Sequence, residues 1–245
     1  MTGRVLCVSF ADGAFSRRKT SFENEARRSA FFDDVHVYTL SSLPKEFCQR
    51  HGDYIQSQSR GFGYWIWKSV VLKDALENAD IDDIICYLDA GFIFNNSAKT
   101  RFIEYLKITQ DTTFKMLTFK NIFIEAHFTK SDLARKLGID VESSLMLTSQ
   151  TSSGFFLCSP TAMNLDLAKQ WAEISVAEGY RFSDDSPSRI ENHSGFKEHR
   201  HDQSIFSLLT KQRGVQTTFY EAARAGPDAE ARQAASPVWA ARRRG

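Results

Sequence analysis

Three short blocks of this 245-residue sequence gather side chains that could do chemistry. Asp89 directly follows the apolar run Ile84–Leu88 and opens the tripeptide "DAG". In open α/β sheets, ligands bind beyond the carboxyl ends of the strands. A carboxylate there, followed by the small Ala90 and by Gly91, offers a charge and a backbone open to close approach. The same residues also suit a plain turn, capped by Asp89 and permitted by Gly91. Upstream lies "RGFGYWIWKSVV", residues 60–71. On helical spacing, Lys68, Val71, Leu72, Ala75, Leu76 and Ala79 share one stripe. Lys68 therefore faces the core, where an ammonium must snorkel, pair with an acid or meet an anionic ligand. A lysine near a helix N-terminus, close to Arg60, suits an anion. Tyr64 and Trp65 either pack or present a flat face. The third block is "HRHDQS", residues 199–204. Asp202 suits the N-cap of a helix over 203–212, and it also stands just before the apolar Ile205 and Phe206.

Positioning these residues requires a sheet with helices around it. "RVLCVSFA" (4–11), "DVHVYTL" (34–40), "DDIICYLDAGFIF" (82–94), "FKMLTF" (114–119), "SGFFLCS" (153–159) and "VQTTFY" (215–220) read as strands. Helical patterns fall between them at 16–32, 43–55, 64–79, 97–108, 129–139, 160–179 and 201–214. The run at 84–88 is apolar on both faces, as in the middle of a largely parallel sheet. Strands alternating with helices predict a mostly parallel α/β sheet. Residues 181–198 form a polar loop, either a lid over a site or a plain surface loop. The glycine-rich dinucleotide and P-loop signatures are absent.

Composition narrows the class further. A formal charge of +1 lacks the basic excess that nucleic-acid binding demands. Cys7, Cys48, Cys86 and Cys158 are widely spaced, so the sequence supports neither a disulfide framework nor a zinc site and suits a reduced, cytoplasmic setting. The N-terminal apolar run is too short for a signal peptide, and no run of about 18 apolar residues predicts a membrane span.

"DDIICYLDAG" resembles the strand and acidic motif of GT-A type glycosyltransferases, whose Asp-x-Asp holds a nucleotide-sugar and a divalent cation. Together with "GFGYWIWK" and "HRHDQSIFSLL", it is similar to bacterial transferases of surface-polysaccharide pathways, those of capsule and lipopolysaccharide. The resemblance spans roughly residues 4–220, and its specificity lies in these three blocks. It implies a GT-A-like catalytic domain over residues 1–225, followed by an Ala/Arg-rich tail over 226–245. The implied activity moves a sugar from a nucleotide-sugar, UDP-linked by expectation, to a glycan or lipid-linked glycan acceptor. Asp89, Ala90, Gly91, Lys68, Arg60, Tyr64 and Trp65 are the residues expected at the donor. Gln150, Ser153, His201 and Gln203 are those expected at the acceptor; a Ser/Thr-rich turn is the alternative for the stretch around 150. Asp202 would take the acceptor proton or orient the acceptor. Gly91 stands where the motif has its second Asp, which leaves metal dependence open. Mn²⁺ or Mg²⁺ would be held by Asp89 with His199 or His201; otherwise Arg and Lys would neutralise the leaving diphosphate. The basic tail allows peripheral contact with the inner face of the membrane. A sugar nucleotidyltransferase and a non-catalytic glycan-binding scaffold are the alternatives.

Overall fold

β1 (Val5–Phe10) is buried along its whole length because helices cover both faces of the sheet that contains it. The computed structural model describes residues 3–222 and 234–244. In chain order β1 is followed by α1 (Arg18–Ser29), β2 (Asp34–Tyr38), α2 (Lys45–Ser57), the short turn α3 (Gly61–Tyr64), α4 (Trp67–Asn78), β3 (Ile84–Leu88) and β4 (Ile93–Phe94). Then come α5 (Lys99–Asp111), β5 (Met116–Ile124), α6 (Glu125–Phe128), α7 (Ser131–Lys136) and β6 (Ser149–Cys158). The chain continues with α8 (Ala162–Val176), α9 (His201–Gln212), β7 (Gln216–Phe219) and β8 (Val238–Trp239).

The main sheet runs β2-β1-β3-β6-β5-β7. β1 pairs in parallel with β2 and β3, and β5 in parallel with β7, while β6 runs antiparallel to both β3 and β5. The expected mostly parallel α/β sheet is therefore present, with one reversed strand at its centre. Side-chain alternation divides it into two cores. Val8, Ile85, Tyr87 and Phe156 face Val71, Trp171 and Phe206 on one side. Cys7, Cys86, Leu88 and Phe155 face Phe22, Phe102 and Tyr105 on the other. Much of the phenylalanine surplus is consumed here, as in the stacked Phe119 and Phe155, whose ring centroids are 4.1 Å apart. Because both cores share one sheet, the described residues form a single α/β domain. The four cysteines are free. Among the described residues no helix is long and apolar enough to cross a membrane.

Several departures from the sequence reading bear on the site. The helix expected from residue 64 begins at Trp67. Ahead of it, residues 61–65 all take positive φ, from 49° at Phe62 to 83° at Gly63. For Phe62, Tyr64 and Trp65 such a left-handed turn costs roughly 1–2 kcal/mol each. The Trp67 indole N–H helps to hold it, donating to the carbonyls of Gly61 and Phe62 at 3.2 and 3.0 Å. β6 starts at Ser149, so residues 150–153 belong to a buried strand rather than to a loop. The polar stretch 181–198 is tied down by Asp132, which accepts from the backbone N–H of Arg189 and Ile190, and by Lys130, which donates to Asp184 and Ser186.

Part of the expected tail, residues 226–233 and 245, lies outside the described residues. Residues 234–244 are seated on the body, where β8 pairs with β4.

Candidate active site

β3 delivers Asp89 to the carboxyl edge of the sheet, as its position after a buried apolar strand predicted. The next turn is fixed from behind. Arg18, fully buried in α1, donates to the carbonyls of Ala90 and Phe92 at 3.1 and 2.9 Å. The Asp89 backbone N–H donates to Gly154 of β6 at 2.9 Å. Its Oδ2 lies so close over Gly154 that a β-carbon on that residue would stand 2.6 Å away. The glycine makes room for the carboxylate.

Two further elements meet there. Lys68 projects from the first turn of α4, and Asp202 from the first turn of α9. Lys68 Nζ lies 2.8 Å from Asp202 Oδ2 and 3.1 Å from Asp89 Oδ1, with the Ser153 hydroxyl at 3.4 Å. Ser153 in turn donates to Asp202 Oδ2 at 2.7 Å, and the Tyr87 hydroxyl donates to Asp89 Oδ1 at 3.0 Å. The side chains of Lys68 and Asp202 are only 2% and 7% exposed, whereas that of Asp89 is 38% exposed. Burial alone would lower the Lys68 pKa, but Asp202 and then Asp89 outweigh it and hold the ammonium above its ordinary value. Burial, with the two carboxylates nearby, pushes the Tyr87 phenol well up. With both acids ionised, one cation between two carboxylates carries net charge −1. Asp89, with its partly exposed side chain, is the part of that cluster open to solvent.

The geometry redistributes the expected roles. Lys68 meets its anion inside the protein, so its enclosed ammonium positions two carboxylates and does not reach outward to a diphosphate. Asp202 does not cap α9; Arg200 occupies that position, and the Asp202 carboxylate turns to Lys68 and Ser153 instead. Gln150 is fully buried, its amide donating to Glu125, Thr129 and Ser204 and its carbonyl accepting from Gln203. The two glutamines thus tie α9 to β6, with Gln150 buried and Gln203 half-buried. Ala90 is buried as well. Gly91 is approached closely, but by the chain's own C-terminal segment, whose Arg243 N–H donates to the Gly91 carbonyl at 3.1 Å.

The remaining candidates line one side. Tyr64 and Trp65, held out by the left-handed turn, flank the His201 imidazole with ring centroids 5.1 and 5.4 Å away. Arg60 is half-exposed and pairs with Asp185 at 3.2 Å and Glu198 at 3.5 Å, which joins it to the 181–198 stretch.

The histidines do not assemble a metal centre. His199 Nε2 donates to the Phe182 carbonyl at 2.9 Å while its Nδ1 accepts from the Lys130 N–H at 3.3 Å, so both ring nitrogens are used. His201 Nδ1 donates to the Ser183 carbonyl at 2.7 Å, which leaves Nε2 buried without a hydrogen-bond partner. Burial lowers the pKa of both rings. Among the described residues no three His, Cys, Asp or Glu side chains converge as a metal site.

Two side chains that shape the site, Tyr87 and Arg18, are not among the candidates the sequence offers. Tyr87 was legible in principle, since residues i and i+2 of a strand share a face and Tyr87 precedes Asp89 by two. Arg18 carried no such signal, because only the folded chain brings α1 under the β3 turn.

No protein-family model matches the chain, and no curated protein matches it. Among solved structures it is similar to the bifunctional glycosyltransferase WbbM, at 9% identity and TM-score 0.50, over 98% of this chain and 46% of that one. It therefore spans under half of WbbM. Other similar structures are mouse xyloside xylosyltransferase 1, at 11% identity and TM-score 0.48 over 96% of both chains, and the galactosyltransferase LgtC solved with donor and acceptor sugar analogues, at 14% identity and TM-score 0.42 over 96% of this chain and 85% of that one. At these identities the likeness concerns the fold alone.

Proposed function

We propose that the chain is a GT-A-like glycosyltransferase, moving a sugar from a nucleotide-sugar donor, UDP-linked by preference, to a glycan acceptor of bacterial surface polysaccharide. The observation that carries this reading is the Asp89–Lys68–Asp202 cluster at the carboxyl edge of a mostly parallel sheet. The fold likeness to WbbM supports it.

In the reaction an acceptor hydroxyl oxygen bonds to the anomeric carbon, the bond from that carbon to the diphosphate oxygen breaks, and the nucleoside diphosphate leaves with the electron pair. Asp89 presents Oδ2, the oxygen that neither Lys68 nor Tyr87 holds, to the donor sugar. Lys68 and Tyr87 hold the other oxygen and fix the carboxylate's direction before substrate arrives, so little reorganisation is needed. Asp202 spends Oδ2 on Lys68 and Ser153, and Oδ1 is the atom on which it would accept the acceptor's proton. Tyr64 and Trp65 offer the flat faces on which a base or sugar ring can lie.

The test is a panel of nucleotide-sugars titrated into the protein with and without Mn²⁺, followed by an assay of nucleoside diphosphate release with glycan acceptors. Binding with release supports glycosyl transfer. Binding without turnover on any acceptor favours the scaffold, and pyrophosphate-dependent nucleotide exchange favours the nucleotidyltransferase. No binding of any nucleotide-sugar refutes the proposal.

A further inference from the structure

The turn after β3 is closed by the Phe92 N–H, which donates to the Asp89 carbonyl at 3.0 Å. The carbonyls of Ala90 and Gly91 at its centre gain no partner from the turn itself, and buried carbonyls must find one elsewhere. Here three consecutive carbonyls are taken by two arginines. Arg18 donates Nε to Ala90 at 3.1 Å and Nη2 to Phe92 at 2.9 Å. The Arg243 backbone N–H donates to Gly91 at 3.1 Å. Both arginines then meet on one carboxylate. Glu25 binds Arg18 through both of its oxygens, and its Oε1 also accepts from Arg243 Nη1 at 3.3 Å.

The two arginines come from opposite ends of the chain and depend on Glu25 differently. Arg18 is fully buried, so its guanidinium needs an acid at hand, and Glu25 supplies it from the same helix. The Arg243 side chain is 57% exposed and reaches the turn because the C-terminal segment is strapped across it. Ile93 pairs with Trp239 and Phe94 with Val238. The Asn95 amide donates to the carbonyls of Ala234 and Ser236 at 3.1 and 3.0 Å. A β-carbon on Gly91 would stand 3.1 Å from Arg242 Cα, so the absence of a side chain gives the strap its seat. The Arg18 hydrogen bonds, joined against partial burial by the charges of Arg18 and Arg243, hold the Glu25 carboxyl below its ordinary range.

We infer that Glu25 is a positioning residue of this site, coupling the seating of the C-terminal strap to the backbone that carries Asp89. The inference rests on the reading of Asp89 as the carboxylate that meets the donor. Lys68 and Tyr87 hold Asp89 by its side chain, whereas Arg18 and Arg243 hold the peptides that follow it. With Glu25 charged, the buried guanidinium keeps its fork on the turn and the strap is drawn onto Gly91. Without that charge Arg18 loses its counter-ion and the strap loses an anchor, so both holds on the turn loosen together. A carboxylate set in place before substrate arrives acts on the transition state, so the loss falls on kcat.

The experiment measures, on the full chain, nucleoside diphosphate release at saturating nucleotide-sugar and amide hydrogen exchange across residues 89–95 and 234–243. Glu25→Gln should lower kcat at least fivefold and speed exchange in both segments. Arg243→Ala should lower kcat at least twofold with the same paired change in exchange, and Arg243→Lys should recover most of the loss. The double variant Glu25→Gln/Arg243→Ala should match Glu25→Gln alone, because one link is broken twice. Glu23→Gln, on an exposed ion pair of the same helix, should leave both readouts unchanged. Arg243→Ala alters an exposed side chain, so it decides the matter even where Glu25→Gln fails to fold. Turn exchange that is unchanged in Arg243→Ala, or losses that multiply in the double variant, overturns the coupling and leaves the transferase reading standing. Exchange that rises together in turn and strap, with no turnover of any nucleotide-sugar by wild type, keeps the coupling and refutes the transferase.

Discussion

Replacing Lys68 by Met keeps the stem's volume and removes the one cation that separates Asp89 from Asp202. Removing one partner of a buried ion pair generally costs about 3–5 kcal/mol, because the other charge is left buried without compensation. Here that figure rests on Asp202, whose side chain is 7% exposed. Asp89 is 38% exposed and screened, so its share is small. Against a typical total of about 5–15 kcal/mol the loss is large. With a urea slope of about 3 kcal/mol per molar, it moves the midpoint down by roughly 1–1.7 M. The deficit must also depend on pH. Without Lys68, the buried carboxylate is easier to protonate in the folded than in the unfolded chain, so the variant binds more protons when folded. Its deficit is then greatest at pH 8 and shrinks toward pH 5. Asp202→Asn combined with Lys68→Met should recover much of the loss at pH 8, since both charges leave together. The assay is urea unfolding of wild type and the two variants at pH 8 and pH 5. A Lys68→Met midpoint within about 0.3 M of wild type at pH 8, equal at both pH values, would refute the buried three-charge cluster.

Other outcomes follow from neighbouring geometry. Gly154→Ala places a β-carbon 2.6 Å from Asp89 Oδ2, so the carboxylate must turn away; turnover should fall at least tenfold while the urea midpoint changes little, and unchanged turnover would show that the Asp89 direction is unimportant. Gly63→Ala meets the Ile55 backbone at 2.8 Å from a φ of +83°; a loss of roughly 1–3 kcal/mol is expected by urea unfolding, and a neutral result would argue against the left-handed turn. His199 and His201 are held neutral by burial, so their pKa values are lower folded than unfolded. Their stabilising contribution is complete above the unfolded value near 6.5 and is lost as pH falls below it, at up to about 1.4 kcal/mol per pH unit for each ring. Urea midpoints that fall between pH 7 and pH 5, with a shallower slope in His199→Gln, fit this; a pH-independent midpoint does not.

Much of the site's chassis was readable in the chain. The apolar run 84–88 announced a central strand, and that alone placed Asp89 at a sheet edge. The i, i+3, i+4 spacing put Lys68 on the buried stripe of α4, where it lies. The identity of its partner was not readable, because Asp202 stands 134 residues further along and reaches Lys68 only through packing of α9 on β6. The same limit applies to Gln150. Its Ser/Thr-rich surroundings look like a polar loop, yet they form a buried strand whose hydrogen bonds are taken by Glu125 and α9. Residues 61–65 misled for a local reason. An aromatic-rich segment running into a helix reads as its first turn, and only Gly61 and Gly63 hinted that the backbone turns left-handed. The C-terminal strap had almost no local signal, since a two-residue strand is defined by its partner. Gly91 marks its seat, at a position where the sequence suggests room for a ligand.

The most direct measurement of the central claim is turnover by Asp89→Asn, followed as nucleoside diphosphate release from whichever nucleotide-sugar the wild type accepts. The substitution keeps the size of the side chain and removes the charge that faces the donor. At least a tenfold fall in a variant that unfolds cooperatively is predicted, about 1.4 kcal/mol of lost stabilisation. Turnover equal to wild type in that folded variant would contradict the account and remove Asp89 from the chemistry.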